Sequence, residues 1–129
     1  MTKILIAEDE PDIRELIKMT LMFGGYDVTA AVDGREAVEL AEQHQFDLIM
    51  MDVRMPRLTG YEACRQIKSL DHLKEVPVIF LSAKGQETEV EEGLSSGAAA
   101  YVLKPFAPDD LLLKIGQVLE ANSSRGSAG

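Results

Sequence analysis

The stretch "DLIMMDVRMPRLTG", Asp47 to Gly60, decides how the chain is read. Leu48, Ile49, Met50 and Met51 form a continuously apolar run, the pattern of a strand buried on both faces, and the run ends in a carboxylate, Asp52, with Pro56 and Gly60 close behind. Strands of that kind belong to parallel sheets covered by helices. In such sheets ligands bind beyond the carboxyl ends of the strands, which is where Asp52 stands.

Four more apolar runs recur at near-regular intervals: "KILIA" (3–7), "YDVTA" (26–30), "VPVIFL" (76–81) and "AYVL" (100–103). The segments between them have helical periodicity, with Ile13, Leu16, Ile17 and Leu21 on one stripe, Ala37, Val38 and Ala41 on another, and Ala63, Cys64 and Ile67 on a third. A fourth stripe, Val90 and Leu94, is the weakest, and Leu111, Leu112, Ile115, Val118 and Leu119 make a fifth. Asp33 with Glu36 and Thr59 with Glu62 have capping-box spacing, Pro11 and Pro108 suit a first helical turn, and Gly24, Gly25 and Gly97 suit helix ends. Alternating strands and helices predict an α/β fold, a doubly wound five-stranded parallel sheet with five helices. "ILIA", "LIMM" and "VIFL" read as interior strands, while the alternating "YDVTA" and the short "AYVL" read as edges. Right-handed crossovers then give the flavodoxin-like order 2-1-3-4-5.

At 129 residues and 46% apolar content the chain suits one packed domain, placed at residues 1–121, with "NSSRGSAG" (122–129) as a flexible tail or linker. The net charge of −9 repels polyanions and argues against direct nucleic-acid contact; proteins, metals or basic surfaces are the expected partners. A single cysteine, Cys64, cannot form an internal disulfide and reads as a small buried hydrophobe. Only "ILIA" separates Met1, Thr2 and Lys3 from the first acids, far short of a secretory apolar core or a membrane span, so a cytoplasmic location without membrane contact is expected.

The residues that follow the interior strands carry the chemistry. Strand 1 leads into Glu8 and Asp9, strand 3 into Asp52, strand 4 into Ser82 and strand 5 into Lys104 and Pro105. Three carboxylates converging in one crevice repel one another unless a cation intervenes, and an oxygen-only donor set suits Mg²⁺ rather than a soft metal. Lys104 and Ser82 then call for an anionic guest. A lysine, a hydroxyl and a hard cation around one carboxylate would stabilise a phosphoryl group in transfer, with Asp52 as its acceptor. Taken singly, Glu8 and Asp9 also read as dipole partners of the following helix, and Lys104-Pro105 as a surface turn.

Together, "AEDEP" with Glu8 and Asp9, "MDVRMPRLTG" with Asp52, Pro56 and Gly60, "FLSA" with Ser82, and "YVLKPF" with Tyr101, Lys104 and Pro105 resemble the receiver domain of bacterial two-component response regulators, over residues 3 to about 121. The resemblance implies that Asp52 is the phosphorylated aspartate, Asp9 the direct Mg²⁺ ligand and Glu8 the acid that reaches the ion through water, with the backbone carbonyl of Arg54 as a further ligand. It implies that Lys104 pairs with phosphoryl oxygens, that the bond to Pro105 is cis, and that Ser82 and Tyr101 form a switch pair acting on a surface made by helix 4, strand 5 and helix 5. A core role is the other reading of Tyr101. The implied partners are a sensor histidine kinase or phosphotransfer protein upstream and a downstream protein or fused output domain, with the chain a monomer or a weak phosphorylation-dependent dimer.

Glu8 is one methylene longer than the aspartate common at its position. Arg54 and Lys84, two residues beyond Asp52 and Ser82, either shield an acyl phosphate from water or are simply solvent-exposed. Ala107 stands where a capping Ser or Asp is expected before Pro108, so that helix start is expected to fray. The run "ETEVEE" (87–92) reads as a solvated helix face or an acidic patch for a basic partner. A phosphatase of the haloacid dehalogenase type would carry its nucleophile after strand 1 in a D-x-D pattern, which "AEDEP" does not supply. A phosphate-independent interaction module and a flavodoxin-like nucleotide binder are the remaining alternatives.

Overall fold

The computed structural model describes residues 1–83 and 99–128, and of Ala83 and residues 123–128 the backbone alone. Its strands are β1 (Lys3–Ala7), β2 (Asp27–Ala31), β3 (Leu48–Asp52), β4 (Val78–Ala83) and β5 (Ala100–Lys104), paired in parallel in the order β2-β1-β3-β4-β5. The expected order and both expected edges are observed. Helices α1 (Pro11–Phe23), α2 (Gly34–Gln43), α3 (Gly60–Lys68) and a C-terminal helix (Pro108–Ala128) complete the described elements. The expected fourth helix, with Val90, Leu94 and the acidic run 87–92, lies outside the described residues, as do Lys84 and Gly97.

Successive side chains of a strand face opposite sides of the sheet, and each side here has its own core. Leu5, Ile49, Met51, Val78 and Phe80 pack with Ala37 and Ala41 of α2 and Ala63, Cys64 and Ile67 of α3. Ile4, Ile6, Leu48, Met50, Ile79 and Leu81 face the other way, against Ile17 and Leu21 of α1 and Leu111 and Ile115 of the C-terminal helix. This explains the unbroken apolar runs of β1, β3 and β4. Cys64 is fully buried, and burial first of all pushes its thiol up to about 11, as expected of an inert packing residue.

Apart from β1, which ends with its apolar run at Ala7, the observed strands run one or two residues further toward the C-terminus than the apolar runs. Asp52 pairs with Leu81, Ser82 with Leu103 and Ala83 with Lys104, so the polar residues that ended each run are themselves part of the ladder. Main-chain pairing is indifferent to side-chain polarity at a strand's last residue. The C-terminal helix likewise continues through residues 122–128, across the boundary that composition suggests; an established helix extends at one hydrogen bond per residue. Its start is held by the Leu111 N–H donating to the Ala107 carbonyl at 3.0 Å, without a side-chain cap in the sequence. No helix among the described residues is long and apolar enough to cross a membrane.

The start of α3 sits against the end of β3, and the start of α2 against the loop beyond it. Thr59 and Glu62 form a complete capping box at α3. Asp33 caps α2 through the Glu36 N–H, but Glu36 reaches back to the Val32 N–H instead of to Asp33. The β3–α3 loop passes through Arg57 at a left-handed φ of 71°, and the Arg57 guanidinium meets Asp33 at 3.3 Å, joining this loop to the start of α2.

Gly60 lies where α3 meets the backbone of β3: a Cβ there would overlap the Asp52 carbonyl oxygen and come within 3.0 Å of the Val53 Cα. Gly60→Ala should therefore destabilise the fold by about 1–3 kcal/mol, the usual cost of overpacking against backbone. Gly116 has no atom within 4 Å of an added Cβ, and Gly116→Ala in that helix should stabilise by roughly 0.5–1 kcal/mol. Urea denaturation of the two variants checks both signs.

Candidate phosphoryl-acceptor site

Three strand ends assemble the site. Glu8 and Asp9 follow β1, Asp52 closes β3, and Lys104 closes β5 two strands away. One carboxylate oxygen from each of Glu8, Asp9 and Asp52 falls within 4.8 Å of the others. The Lys104 ammonium donates to Glu8 Oε1 at 2.8 Å and to Asp52 Oδ2, and so bridges β1 and β3 from β5. Glu8 is 0% exposed, Ser82 1% and Asp52 6%, while Asp9 is half-buried at the opening. The cluster is thus desolvated on its sheet side and accessible through Asp9.

Desolvation sets the electrostatics. Burial, followed by the hydrogen bond and charge of Asp52, pushes the Glu8 carboxyl up to about 8 from its ordinary 4.5, against the opposing pull of Lys104. Burial alone would lower the lysine, but its hydrogen bonds to Asp52 and Glu8 outweigh that and leave it raised. Replacing such a buried ion cluster by apolar residues is often neutral or stabilising, by about 1–4 kcal/mol, so stability alone does not account for it. The donor set is all oxygen, from three acids of which one lysine offsets only part of the charge. It fits a hard divalent ion.

Main-chain groups orient the acids. The Arg54 N–H donates to Asp52 Oδ1 at 2.8 Å, which leaves Oδ2 to Lys104. The Glu10 N–H donates to Glu8 Oε2 at 3.3 Å. Arg54 itself is exposed at the rim, and its expected companion Lys84 lies outside the described residues. Pro56 is exposed in the loop beyond Asp52, and Gly60 packs beneath it. The Lys104–Pro105 peptide is cis.

Ser82 is buried at the end of β4, beside Asp52 on β3. Tyr101 lies three residues before Lys104 on β5, half-buried, its ring 5.6 Å from that of Phe80 and its hydroxyl donating to the Tyr61 hydroxyl at 3.3 Å. Phe80 also meets Tyr61 edge-on at 4.9 Å. Tyr101 therefore belongs to an aromatic row reaching from the edge strand to α3 through Tyr61, a link that the sequence pattern did not reveal.

Sequence reasoning also passed over Arg14. Its guanidinium donates from Nη1 to the carbonyl oxygens of Glu8 at 2.9 Å and Asp9 at 3.4 Å. The available signal was a cation in the opening turn of α1, where the helix dipole favours anions.

Comparison with known proteins agrees with this geometry. A family model described as the response regulator receiver domain matches residues 4–116. The chain is 38% identical over 127 residues to response regulator MprA of Mycolicibacterium vanbaalenii, covering 98% of this chain and 54% of that protein. It is 38% identical over 119 residues to the DNA-binding dual master transcriptional regulator RpaA of Synechocystis, covering 92% and 49%. The chain spans about half the length of the curated relatives it matches. Among solved structures, the receiver domain of a sensor histidine kinase from Pseudomonas aeruginosa, with a magnesium ion coordinated in its active-site cleft, superposes with a TM-score of 0.86 at 35% identity, over 92% of this chain and 98% of that one. Chemotaxis response regulator CheY4 of Vibrio cholerae gives 0.87 at 36% identity, over 92% and 98%.

The raised Glu8 carboxyl has a stability consequence. Between pH 4.5 and about 8 the folded, metal-free chain retains a proton that the unfolded chain has lost, so stability falls as pH rises through that window. The melting temperature without divalent ions should drop more steeply from pH 5.5 to 8 than that of Glu8→Gln, which lacks the titration. Added Mg²⁺ should raise it more at pH 8 than at pH 5.5. Parallel melting curves for the two proteins would contradict this account.

Proposed function

The chain belongs to the response regulator receiver domain family, and on that premise we propose that it is a phosphorylation-activated signalling switch whose phosphoryl acceptor is Asp52. The observation that carries this reading is the Lys104 ammonium held between Glu8 and Asp52 at the carboxyl end of the sheet. Receiver domains are signalling domains. The only chemistry assigned to this one is acceptance and loss of its own phosphoryl group.

Asp9 and Asp52, with the Arg54 carbonyl and with Glu8 through water, would hold Mg²⁺, which when bound supplies neutralisation of the charge gathering on the phosphoryl oxygens. An Asp52 carboxylate oxygen attacks phosphorus while the bond from phosphorus to the donor's imidazole nitrogen breaks, and that nitrogen keeps the electron pair. The Arg54 N–H orients the attacking carboxylate. Lys104, already within reach of Asp52, shifts its ammonium from carboxylate to phosphoryl oxygen, a like-for-like exchange of anionic partners. The Ser82 hydroxyl donates to a second phosphoryl oxygen from the adjoining strand. Exposed Arg54 borders the group and, with Lys84, is assigned to slowing its hydrolysis.

The output would follow from the same strands. Movement of Ser82 toward the phosphoryl group opens space on the β4 side, and Tyr101 turns inward along its aromatic row, altering the surface of β5, the C-terminal helix and the segment between β4 and β5. The expected donor is a sensor histidine kinase or phosphotransfer protein. The relatives' greater length supports a fused output domain, and a separate downstream protein is the other arrangement. The receiver unit is assigned to residues 1–121, with 122–129, which prolong the C-terminal helix through Ala128, as tail or linker, in the cytoplasm, as a monomer or a weak phosphorylation-dependent dimer.

Incubation with a small-molecule acyl phosphate followed by intact-mass measurement tests the reading. A single adduct of one phosphoryl group, dependent on Mg²⁺ and missing in Asp52→Asn, is expected. Absence of any adduct from the wild-type chain would leave a receiver-like module that works without phosphate.

A further inference from the structure

Arg14 sits badly by local rules. It occupies the fourth residue of α1, its N–H making the first helical bond to the Glu10 carbonyl at 2.9 Å, so its positive charge lies near the positive end of the helix dipole. A residue that breaks a local preference needs a compensating contact. Long side chains on a helix lean toward its N-terminus, and Arg14 does so to reach the carbonyl oxygens of Glu8 and Asp9 at 2.9 and 3.4 Å. The β1 ladder stops at Ala7, so these are the first two carbonyls beyond the sheet, and they belong to the two adjacent acids of the cluster.

We infer that Arg14 is a positioning residue for metal binding: by clamping the backbone of Glu8 and Asp9 it holds their carboxylates in the arrangement a divalent cation requires. The inference rests on the proposed reading of the site and adds a residue to it. Side chains leave a peptide in directions fixed by its orientation, so tethering both carbonyls to one guanidinium limits where the two carboxylates can swing. Without the clamp, the link from β1 to α1 must be ordered when the ion binds, and affinity falls by that entropic cost. Supporting groups one step removed from a metal typically contribute about 10–100-fold to its affinity.

Simple electrostatics predicts the opposite. A guanidinium near three acids competes with an incoming cation, so removing its charge would tighten binding. The two accounts differ in sign, which makes the test decisive. Mg²⁺ affinity is measured by titration calorimetry on the full chain for wild type, Arg14→Met and Arg14→Lys, with thermal melts to verify that each is folded. Weakening of about tenfold is expected in Arg14→Met, with partial recovery in Arg14→Lys, which keeps a donor that can reach a carbonyl. The rate of phosphorylation by an acyl phosphate should fall at limiting Mg²⁺ and return close to wild type at saturating Mg²⁺, a split that general loss of structure would not produce. Unchanged or tighter binding in Arg14→Met overturns the inference while the function stands. If the wild-type chain binds no Mg²⁺, the inference and the reading beneath it both fall.

Discussion

One ammonium group ties the ends of the sheet together. Lys104 reaches from the edge strand β5 across to Asp52 on β3 and Glu8 beyond β1, spanning β4 between them. Each contact joins residues far apart in sequence, and both acids are nearly or fully buried. Burial first, and then the hydrogen bond and charge of the neighbouring Asp52, hold the Glu8 carboxyl above its ordinary value. The lysine offsets part of the excess charge, and the all-oxygen donor set that carries the rest fits a hard divalent cation.

Around this centre the scaffold is ordinary α/β packing put to a particular use. Residues alternate between two cores on the faces of β1, β3 and β4, and the acids and the lysine stand at the carboxyl ends of the strands. Helix starts crowd there: α3 lies directly on the Asp52 backbone through Gly60, and α2 is fastened to the neighbouring loop through Asp33 and Arg57. Helix N-termini present unpaired N–H groups and positive potential, which suits a site that handles anions.

The sheet order, its edges and the acid–lysine cluster were legible because each rests on a local pattern: unbroken apolar runs, capping spacings, and polar residues following those runs. Strand limits were less so. An apolar run stops at Asp52 or Ser82, whereas hydrogen bonding carries on through them, and it is this continuation that sets their direction. Arg14 and Tyr61 were missed for a related reason. A helix residue is read by which stripe it joins, yet Arg14 acts by leaning back past the helix start, and Tyr61 by accepting a hydrogen bond from a hydroxyl forty residues on.

The order β2-β1-β3-β4-β5 also fixes when the site can exist. β1 contributes its acids first and β3 adds Asp52, but the compensating lysine lies ninety-six residues after Glu8 and fifty-two after Asp52. A growing chain that has reached β4 holds two carboxylates meant for burial and no counter-charge to bury them with. Those tips stay hydrated until β5 docks, since burying them unpaired costs more than leaving them in water. The edge strand β5 therefore closes the sheet and delivers the counter-charge in the same step.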